Sequence, residues 1–162
     1  MKYHPIVYKI LDLVKENKFW FETFEHEKVT TSEEASKVRS GYTLNQGAKA
    51  MIVRIKESAD KKYFIMLVLP GDKKINFDKV KIDLNAKDIR FATADEINQI
   101  TNGVEIGGIP PFGNLFGLNI FADPSVFENE KIIFNAGDRR YSIAMFSKDY
   151  QTLVKSQISS IT

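Results

Sequence analysis

The segment AKAMIVRIKESADKKYFIMLVL, residues 48–69, is the part of the sequence around which the rest of the chain is organised. Two runs of apolar and β-branched residues, 48–55 and 63–69, flank the polar residues 56–62. Such runs are typical of buried strands, and a connection this short joins antiparallel neighbours. We therefore predict a central β-hairpin, with Lys49 near the start of its first strand.

The flanking sequence predicts helices and further strands. Apolar residues recur at helical spacing over residues 5–15, and Thr31 with Glu34 and Thr93 with Glu96 form capping-box patterns at two helix starts. Residues 77–84 fit both periodicities, and we favour a helix. Further strands are predicted at 19–24, 118–122, 131–135 and 141–146, and Ser147 is predicted to cap a closing helix.

Several strand connections are too short for a parallel crossover. The predicted fold class is therefore α+β: a single domain over residues 1–162, built on one mixed, mostly antiparallel β-sheet flanked by helices.

Composition excludes several classes of protein. The sequence has no cysteine, only two histidines and a formal net charge of +2. Disulfides, thiolate metal sites and a strongly basic nucleic-acid surface are therefore not expected, and neither a metal nor a cofactor is predicted. No apolar run approaches the ~20 residues that span a bilayer. We expect no signal peptide, no membrane partner and a cytoplasmic location.

Lys49 and the loop GGIPPFG, residues 107–113, are the strongest functional candidates. A lysine in an apolar strand is costly to bury unless its ammonium reaches a cleft or meets an anion. Glycines leave backbone amides open to a ligand, and the prolines stiffen the loop. Together they indicate a pocket for a phosphate-bearing or oxyanionic ligand. The structural alternatives are a surface lysine and a simple turn.

The common catalytic motifs are missing from the sequence. It contains no G-x-S-x-G nucleophile motif, and residues 107–113 lack the lysine–hydroxyl ending of a P-loop. His26 is the side chain best placed to act as a base, although it could equally be an exposed residue between two glutamates. Catalysis by positioning and by backbone dipoles remains.

The order of these landmarks resembles the YbaK/prolyl-tRNA-synthetase-associated domain family of aminoacyl-tRNA deacylases. The resemblance covers about residues 24–154. The matching residues, in chain order, are His26, Thr30, Thr31, Glu34, Ala35, Gln46, Ala48, Lys49, Pro70, Gly71, Asp72, Thr101, Gly103, the G-x-x-x-P loop from Gly107 to Pro111, Phe112, Gly113, Asp123 and Gly137.

The resemblance implies trans-editing, the hydrolysis of the ester that joins a wrong amino acid to the 3′ end of a tRNA. Lys49 would hold the terminal phosphate or the ester carbonyl, and the amides of Gly107, Gly108 and Ile109 would stabilise the oxyanion. The proton would leave through the neighbouring ribose hydroxyl, with His26 as the alternative. The substrate-binding residues would be His26, Thr30, Thr31, Pro110, Pro111, Phe112, Gly113, Asp123 and Gly137.

The resemblance also implies the partners. The substrate would be a mischarged tRNA, with alanine and then cysteine on proline tRNA as the expected amino acids, and whether a synthetase also binds stays open. Two other functions remain: a non-catalytic module that binds a tRNA end or a nucleotide together with a partner protein, and a general esterase that does not depend on Lys49.

Overall fold

The computed structural model describes residues 2–162. Five α-helices and eight β-strands alternate along the chain. The helices are α1 (Pro5–Glu16), α2 (Ser32–Val38), α3 (Phe77–Leu84), α4 (Ala94–Thr101) and α5 (Ser147–Val154). The strands are β1 (Phe21–Glu25), β2 (Ala48–Lys56), β3 (Lys62–Pro70), β4 (Asp88–Phe91), β5 (Asn119–Ala122), β6 (Lys131–Asp138), β7 (Tyr141–Phe146) and β8 (Gln157–Ile158). Short 3₁₀ turns cover Leu44–Gln46, Gly113–Phe116 and Pro124–Glu128.

The larger sheet contains the predicted hairpin, in the strand order β4-β2-β3-β5-β8. β2 and β3 pair antiparallel along their whole length, from Ala48 opposite Pro70 to Lys56 opposite Lys62. β5 joins β3 in parallel, and β8 joins β5 in parallel. The sheet is therefore mixed. β5 can run parallel to β3 because the long connection through α3, β4 and α4 brings the chain back to the starting end of the sheet.

The other strands form a second, antiparallel sheet in the order β1-β7-β6. The two sheets meet at a single bridge between Gly47 and Ile133. This confirms the α+β class and the mixed, mostly antiparallel pairing, but the strands form two sheets and not the one that we predicted. Within the second sheet, the pairing of β6 with β7 shifts register between Asn135 and Asp138.

Most predicted elements are confirmed within a few residues. α1 and α3 form where the pattern indicated them, and Thr93 and Glu96 make a complete capping box on α4. The prediction that Ser147 caps α5 is wrong, since the side chain of Ser147 donates to the carbonyl of Asn129 and ties α5 to the segment before β6.

Two apolar clusters hold the layers together. The larger one joins α1 and both sheets through residues such as Val7, Ile52 and Phe134, and the smaller one packs α3 against the opposite face of β2 and β3. Within residues 2–162 no helix is long and apolar enough to cross a bilayer. The same residues contain no cluster of three or more histidine, aspartate or glutamate side chains that could hold a metal ion.

Candidate functional site

A cavity of about 330 Å³ opens where the two sheets meet. Its walls are α2 with the segment before it, the start of β2, the end of β4 and the glycine loop. The residues that line it include Thr30, Thr31, Ser36, Arg39, Lys49, Phe91, Ile106, Gly107, Ile109 and Asn135.

The edge of β2 forms one wall of the cavity. All residues from 48 to 52 line the cavity. Because successive side chains of a strand point to opposite faces, a run of adjacent lining residues indicates that β2 presents its backbone edge to the cavity. This edge is open because β4 pairs with β2 only from Val53 to Lys56. A ligand in the cavity therefore has access to main-chain donors and acceptors as well as side chains.

Lys49 lies on this wall, half buried, as the sequence predicted. Its Nζ donates to the carbonyl oxygen of Gly71 at 3.4 Å. Burial lowers the pKa of Lys49 below 10.5, while the nearby carboxylates of Glu33 and Asp72 oppose this shift. Among the described residues the Lys49 amine makes only this one long hydrogen bond to protein.

The first half of the glycine loop reaches the cavity. Ile106, Gly107 and Ile109 line it, and Gly107 has a left-handed backbone with φ of +91°. The amides of Gly107 and Ile109 donate to no protein group within residues 2–162, so both are available to a ligand. Gly108 differs, because its N–H donates to the Glu105 carbonyl at 2.9 Å and its Cα packs on the turn at Asp138 and Arg139. The structure therefore does not offer the Gly108 amide as an oxyanion donor.

The second half of the loop turns into the core. Pro110, Pro111, Phe112 and Gly113 are all buried and none lines the cavity. The hydroxyl of Tyr150 donates to the Pro111 carbonyl at 2.6 Å, and the ring of Phe112 packs edge-on against Tyr150. These residues anchor the loop, and the structure does not bring them to the predicted substrate contacts.

Thr30 and Thr31 line the cavity and also fix its rim. Thr31 caps α2 by accepting from the Glu34 amide at 3.1 Å, and the Glu34 carboxylate accepts from the Thr30 amide at 3.0 Å. The Thr30 hydroxyl accepts from Arg139 at 2.9 Å. Arg139 also bonds Val29 and Glu105, so this arginine clamps the segment before α2 to the turn between β6 and β7.

His26 lies behind the cavity wall and does not line it. Its Nδ1 is 2.8 Å from the Glu27 carbonyl, which can only accept, so Nδ1 carries a proton. Nε2 then accepts from the Ser142 hydroxyl at 2.7 Å. Burial, together with the positive charge of Arg39, lowers the pKa of His26 below 6.5. Both ring nitrogens are occupied by hydrogen bonds to protein.

Asp123 and Gly137 are also remote from the cavity wall. Asp123 is buried beside β5, where its carboxylate accepts from Ser125 and from the Ile161 amide and ties down the C-terminal residues. Gly137 forms the bulge of β6 at φ of +112°, and a Cβ there would collide with the side chain of Ile6 in α1. Both residues have structural roles that their place in the motif order did not reveal.

Comparison with known proteins settles the family. The family model of the aminoacyl-tRNA editing domain matches residues 26–153. The chain belongs to this family. The multifunctional Ser/Thr-tRNA deacylase ProXp-y of Escherichia coli K12 is 27% identical over 151 residues, which cover 93% of this chain and 89% of that protein. The proline–tRNA ligase of Lactobacillus gasseri is 35% identical over 89 residues, or 54% of this chain and 16% of the ligase.

Solved structures share the fold of this editing domain. A protein named as a candidate trans-editing enzyme for prolyl tRNA synthetase superposes with a TM-score of 0.81, at 18% identity and with 99% of each chain covered. The hypothetical protein APE2540 superposes equally well, with a TM-score of 0.81 at 18% identity, over 94% of this chain and 98% of that one.

Sequence reasoning missed part of the wall of the cavity in this editing domain. Arg39, Asn135 and Phe91 all contribute to the cavity, but none belongs to a motif that marks a ligand site. Arg39 follows a short helix, and Asn135 and Phe91 sit in strands, where their contact with a pocket depends on tertiary packing. The position of Arg39 near the end of the predicted short helix is the one sequence feature that could have drawn attention to it.

Proposed function

We propose that this protein hydrolyses the ester of mischarged aminoacyl-tRNA, acting in trans as an editing deacylase. One observation carries the proposal: Lys49, the amides of Gly107 and Ile109 and the open edge of β2 converge on one cavity. An aminoacyl ester is already activated, so its hydrolysis needs orientation of the ester and stabilisation of the oxyanion more than a strong nucleophile.

The chemistry that this site supports begins with attack of water on the ester carbonyl carbon. A carbon–oxygen bond forms, and the carbonyl electrons move to an oxyanion that the Gly107 and Ile109 amides can bind. Collapse breaks the bond to the ribose oxygen and releases a carboxylate. One proton of the water ends on the ribose oxygen, by way of the neighbouring ribose hydroxyl, and the other passes to solvent because the amino acid leaves as a carboxylate. Because His26 lies outside the cavity with both nitrogens occupied, its position favours this substrate-assisted route over a histidine base.

Lys49 would bind the terminal phosphate or the ester carbonyl oxygen. Its ammonium repels the α-ammonium of the amino acid, so the acyl group would lie with its amine pointing away from Lys49. Phe91 and Ile106 line the cavity although they are 47% and 55% exposed, which places an apolar rim at its mouth. A base of the tRNA terminus can stack on such a surface.

The amino acid removed is a small one in this proposal. Alanine and cysteine were the expectation from the sequence, whereas the relative in Escherichia coli is named for serine and threonine. Ser32, Ser36 and Thr43 line the cavity. The hydroxyls of Ser36 and Thr43 already donate to Glu33 and Gln46, so each can offer an acceptor to a side-chain hydroxyl. We therefore place seryl and threonyl esters ahead of alanyl and cysteinyl ones.

The test is deacylation of a panel of seryl-, threonyl-, alanyl- and cysteinyl-tRNA, each on cognate and non-cognate tRNA, with prolyl-tRNA as the correctly charged control. We expect fast loss of the ester from at least one mischarged species and none from prolyl-tRNA. Binding of the tRNA end without hydrolysis of any species would identify a non-catalytic module instead. Hydrolysis of simple esters at a comparable rate would identify a general esterase.

A further inference from the structure

Arg39 is a buried cation without a counter-charge. Only 6% of the residue is exposed, and its side chain forms part of the cavity wall at the end of α2. Seven ion pairs occur among residues 2–162, and none includes Arg39. Arg139 and Arg140, by contrast, each bind a carboxylate near the surface.

Neutral side chains hold the guanidinium of Arg39. Its Nε donates to the Ser142 hydroxyl at 3.0 Å and its Nη2 to the Asn135 amide oxygen at 2.9 Å. Within residues 2–162 no protein acceptor bonds Nη1, which lies on the side of Gly47, another residue of the cavity wall. The guanidinium is thus oriented by two bonds and keeps a donor for a further group.

Burial of an unpaired charge is costly, and proteins retain one where an anion completes the site. Burial lowers the pKa of Arg39 to about 10, so the guanidinium is still charged at neutral pH. Its planar array of N–H groups matches the oxygens of a carboxyl group. A ligand with a negative oxygen would supply the missing partner.

Asn135 connects Arg39 to the glycine loop. The Nδ2 of Asn135 donates to the Gly107 carbonyl at 2.6 Å, while its amide oxygen accepts from Arg39. Asn135 thus ties the guanidinium to the glycine loop, and Arg39, Gly107 and Ile109 all line the same cavity. We expect a ligand that fills this cavity to meet both the guanidinium and the loop.

We propose that Arg39 binds the carboxyl-derived oxygens of the acyl group: the oxyanion while the ester is hydrolysed, and the carboxylate of the amino acid that is released. This inference rests on the proposed function for the first of these two states. The second state is a binding property of the folded protein that can be measured without any turnover. An α-ammonium would be repelled by Arg39 as well as by Lys49, so the acyl group must enter with its carboxyl oxygens towards the two cations.

Kinetics of Arg39 variants test the first state. We expect Arg39→Gln to lower kcat by about 100-fold, as does loss of an oxyanion donor elsewhere, and to change KM by less than about threefold. Arg39→Ala should regain part of the lost kcat when guanidinium ions are added, whereas Lys49→Ala should not. Arg140→Gln, which removes a cation that pairs with Asp138 outside the cavity, is the matched control and should keep most of the activity.

A purely structural role for Arg39 gives a different pattern. Arg39→Gln and Ser142→Ala would then lower the melting temperature together, and added guanidinium would restore nothing. A kcat within about twofold of the wild type in a folded Arg39→Gln protein would overturn the proposal, because a lost charge at the oxyanion must appear in kcat.

Binding of free amino acids tests the second state independently of activity. Titration of the wild-type protein with L-serine and L-serinamide, followed by NMR shifts of cavity residues, should show binding of the acid and weaker binding of the amide. Arg39→Gln should remove this difference. Equal binding of acid and amide by the wild type, or an unchanged difference in the variant, would overturn the proposal. If the wild type binds L-serine through Arg39 but deacylates no tRNA, the proposed function fails and the carboxylate site stands.

Discussion

At the scale of single residues, four polar side chains form a hydrogen-bonded network at the cavity wall. His26, Ser142, Arg39 and Asn135 follow one another and end at the carbonyl of Gly107, through hydrogen bonds of 2.6–3.0 Å. Each member is held by the next, and such networks are stable only when every donor and acceptor is satisfied. A change of protonation at His26 is therefore expected to disturb this whole hydrogen-bonded network.

The pH dependence of stability reports on His26. The pKa of His26 in the folded protein lies below 6.5. As the pH falls below 6.5, the unfolded protein therefore binds a proton at His26 before the folded protein does. The contribution of neutral His26 to the free energy of unfolding is fully present above pH 6.5. It is lost as the pH falls through the pKa of His26 in the folded protein. We expect the melting temperature to decline over this range and the decline to be shallower in His26→Gln. The assignment would be contradicted if the melting temperature fell equally in the wild type and His26→Gln, and fell less in His4→Asn.

Phe91 is expected to act in binding and not in chemistry. Its exposed ring lies at the cavity mouth, and stacking of a base on an aromatic ring contributes ~1–3 kcal/mol. Phe91→Ala should therefore raise KM for the charged tRNA by about tenfold or more and leave kcat close to the wild type. Ile82→Ala removes an even more exposed apolar side chain outside the cavity and should change neither constant. An unchanged KM for Phe91→Ala would remove Phe91 from the binding surface.

At the scale of elements, the glycine loop has two halves with separate roles. Residues 106–109 line the cavity except for Gly108, and residues 110–113 are packed in the core beneath α5. Anchoring the second half holds the first half rigid, which is what a preorganised oxyanion site requires. Gly107 lies at the cavity wall with a positive φ, a backbone conformation that favours glycine at this turn of the loop.

Substitution of Gly107 tests the role of that turn. A Cβ at Gly107 has ordinary contacts, the nearest at 3.5 Å from the Thr30 carbonyl, so the cost of Gly107→Ala comes from its φ of +91° and amounts to roughly 1–2 kcal/mol. We expect deacylation to fall by about 10-fold to 100-fold as the amides move. Gly117→Ala has a similar φ of +74° in open space and should cost comparable stability without loss of activity. Equal activities of the two variants would contradict the role of the Gly107 turn.

At the scale of the whole molecule, the site exists because two sheets and α2 meet. The strands and helices were predictable from sequence because their periodicity is local, as in β2, β3 and α1. The separation into two sheets was not predictable, since it depends on which strand lies beside β7 and on the bulge at Gly137. For the same reason, the motif order found the cavity residues Lys49 and Gly107 but missed Arg39 and Asn135. It also placed Asp123 and Gly137 at the substrate, which their packing does not support.

The packing of α1 on the smaller sheet depends on Gly137. A Cβ there would overlap the side chain of Ile6, which is buried and cannot move away, and φ of +112° adds backbone strain. Overpacking of this kind costs about 1–3 kcal/mol, and each kcal/mol lowers Tm by about 2–4 °C in a protein of this size. Gly137→Ala should thus have a clearly lower melting temperature than Gly41→Ala, in which the added methyl group causes backbone strain but no collision. Equal melting temperatures would show that α1 adjusts to the added methyl group.

The most direct test of the account is the rate of ester loss from a mischarged tRNA with the wild-type protein and with Lys49→Ala, measured side by side with Lys56→Ala. Lys56 lies at the far end of the same strand and outside the cavity. We expect Lys49→Ala to lose about 100-fold or more in kcat/KM while remaining folded, and Lys56→Ala to match the wild type. Equal rates for wild type and Lys49→Ala would contradict the claim that this cavity is where the ester is hydrolysed.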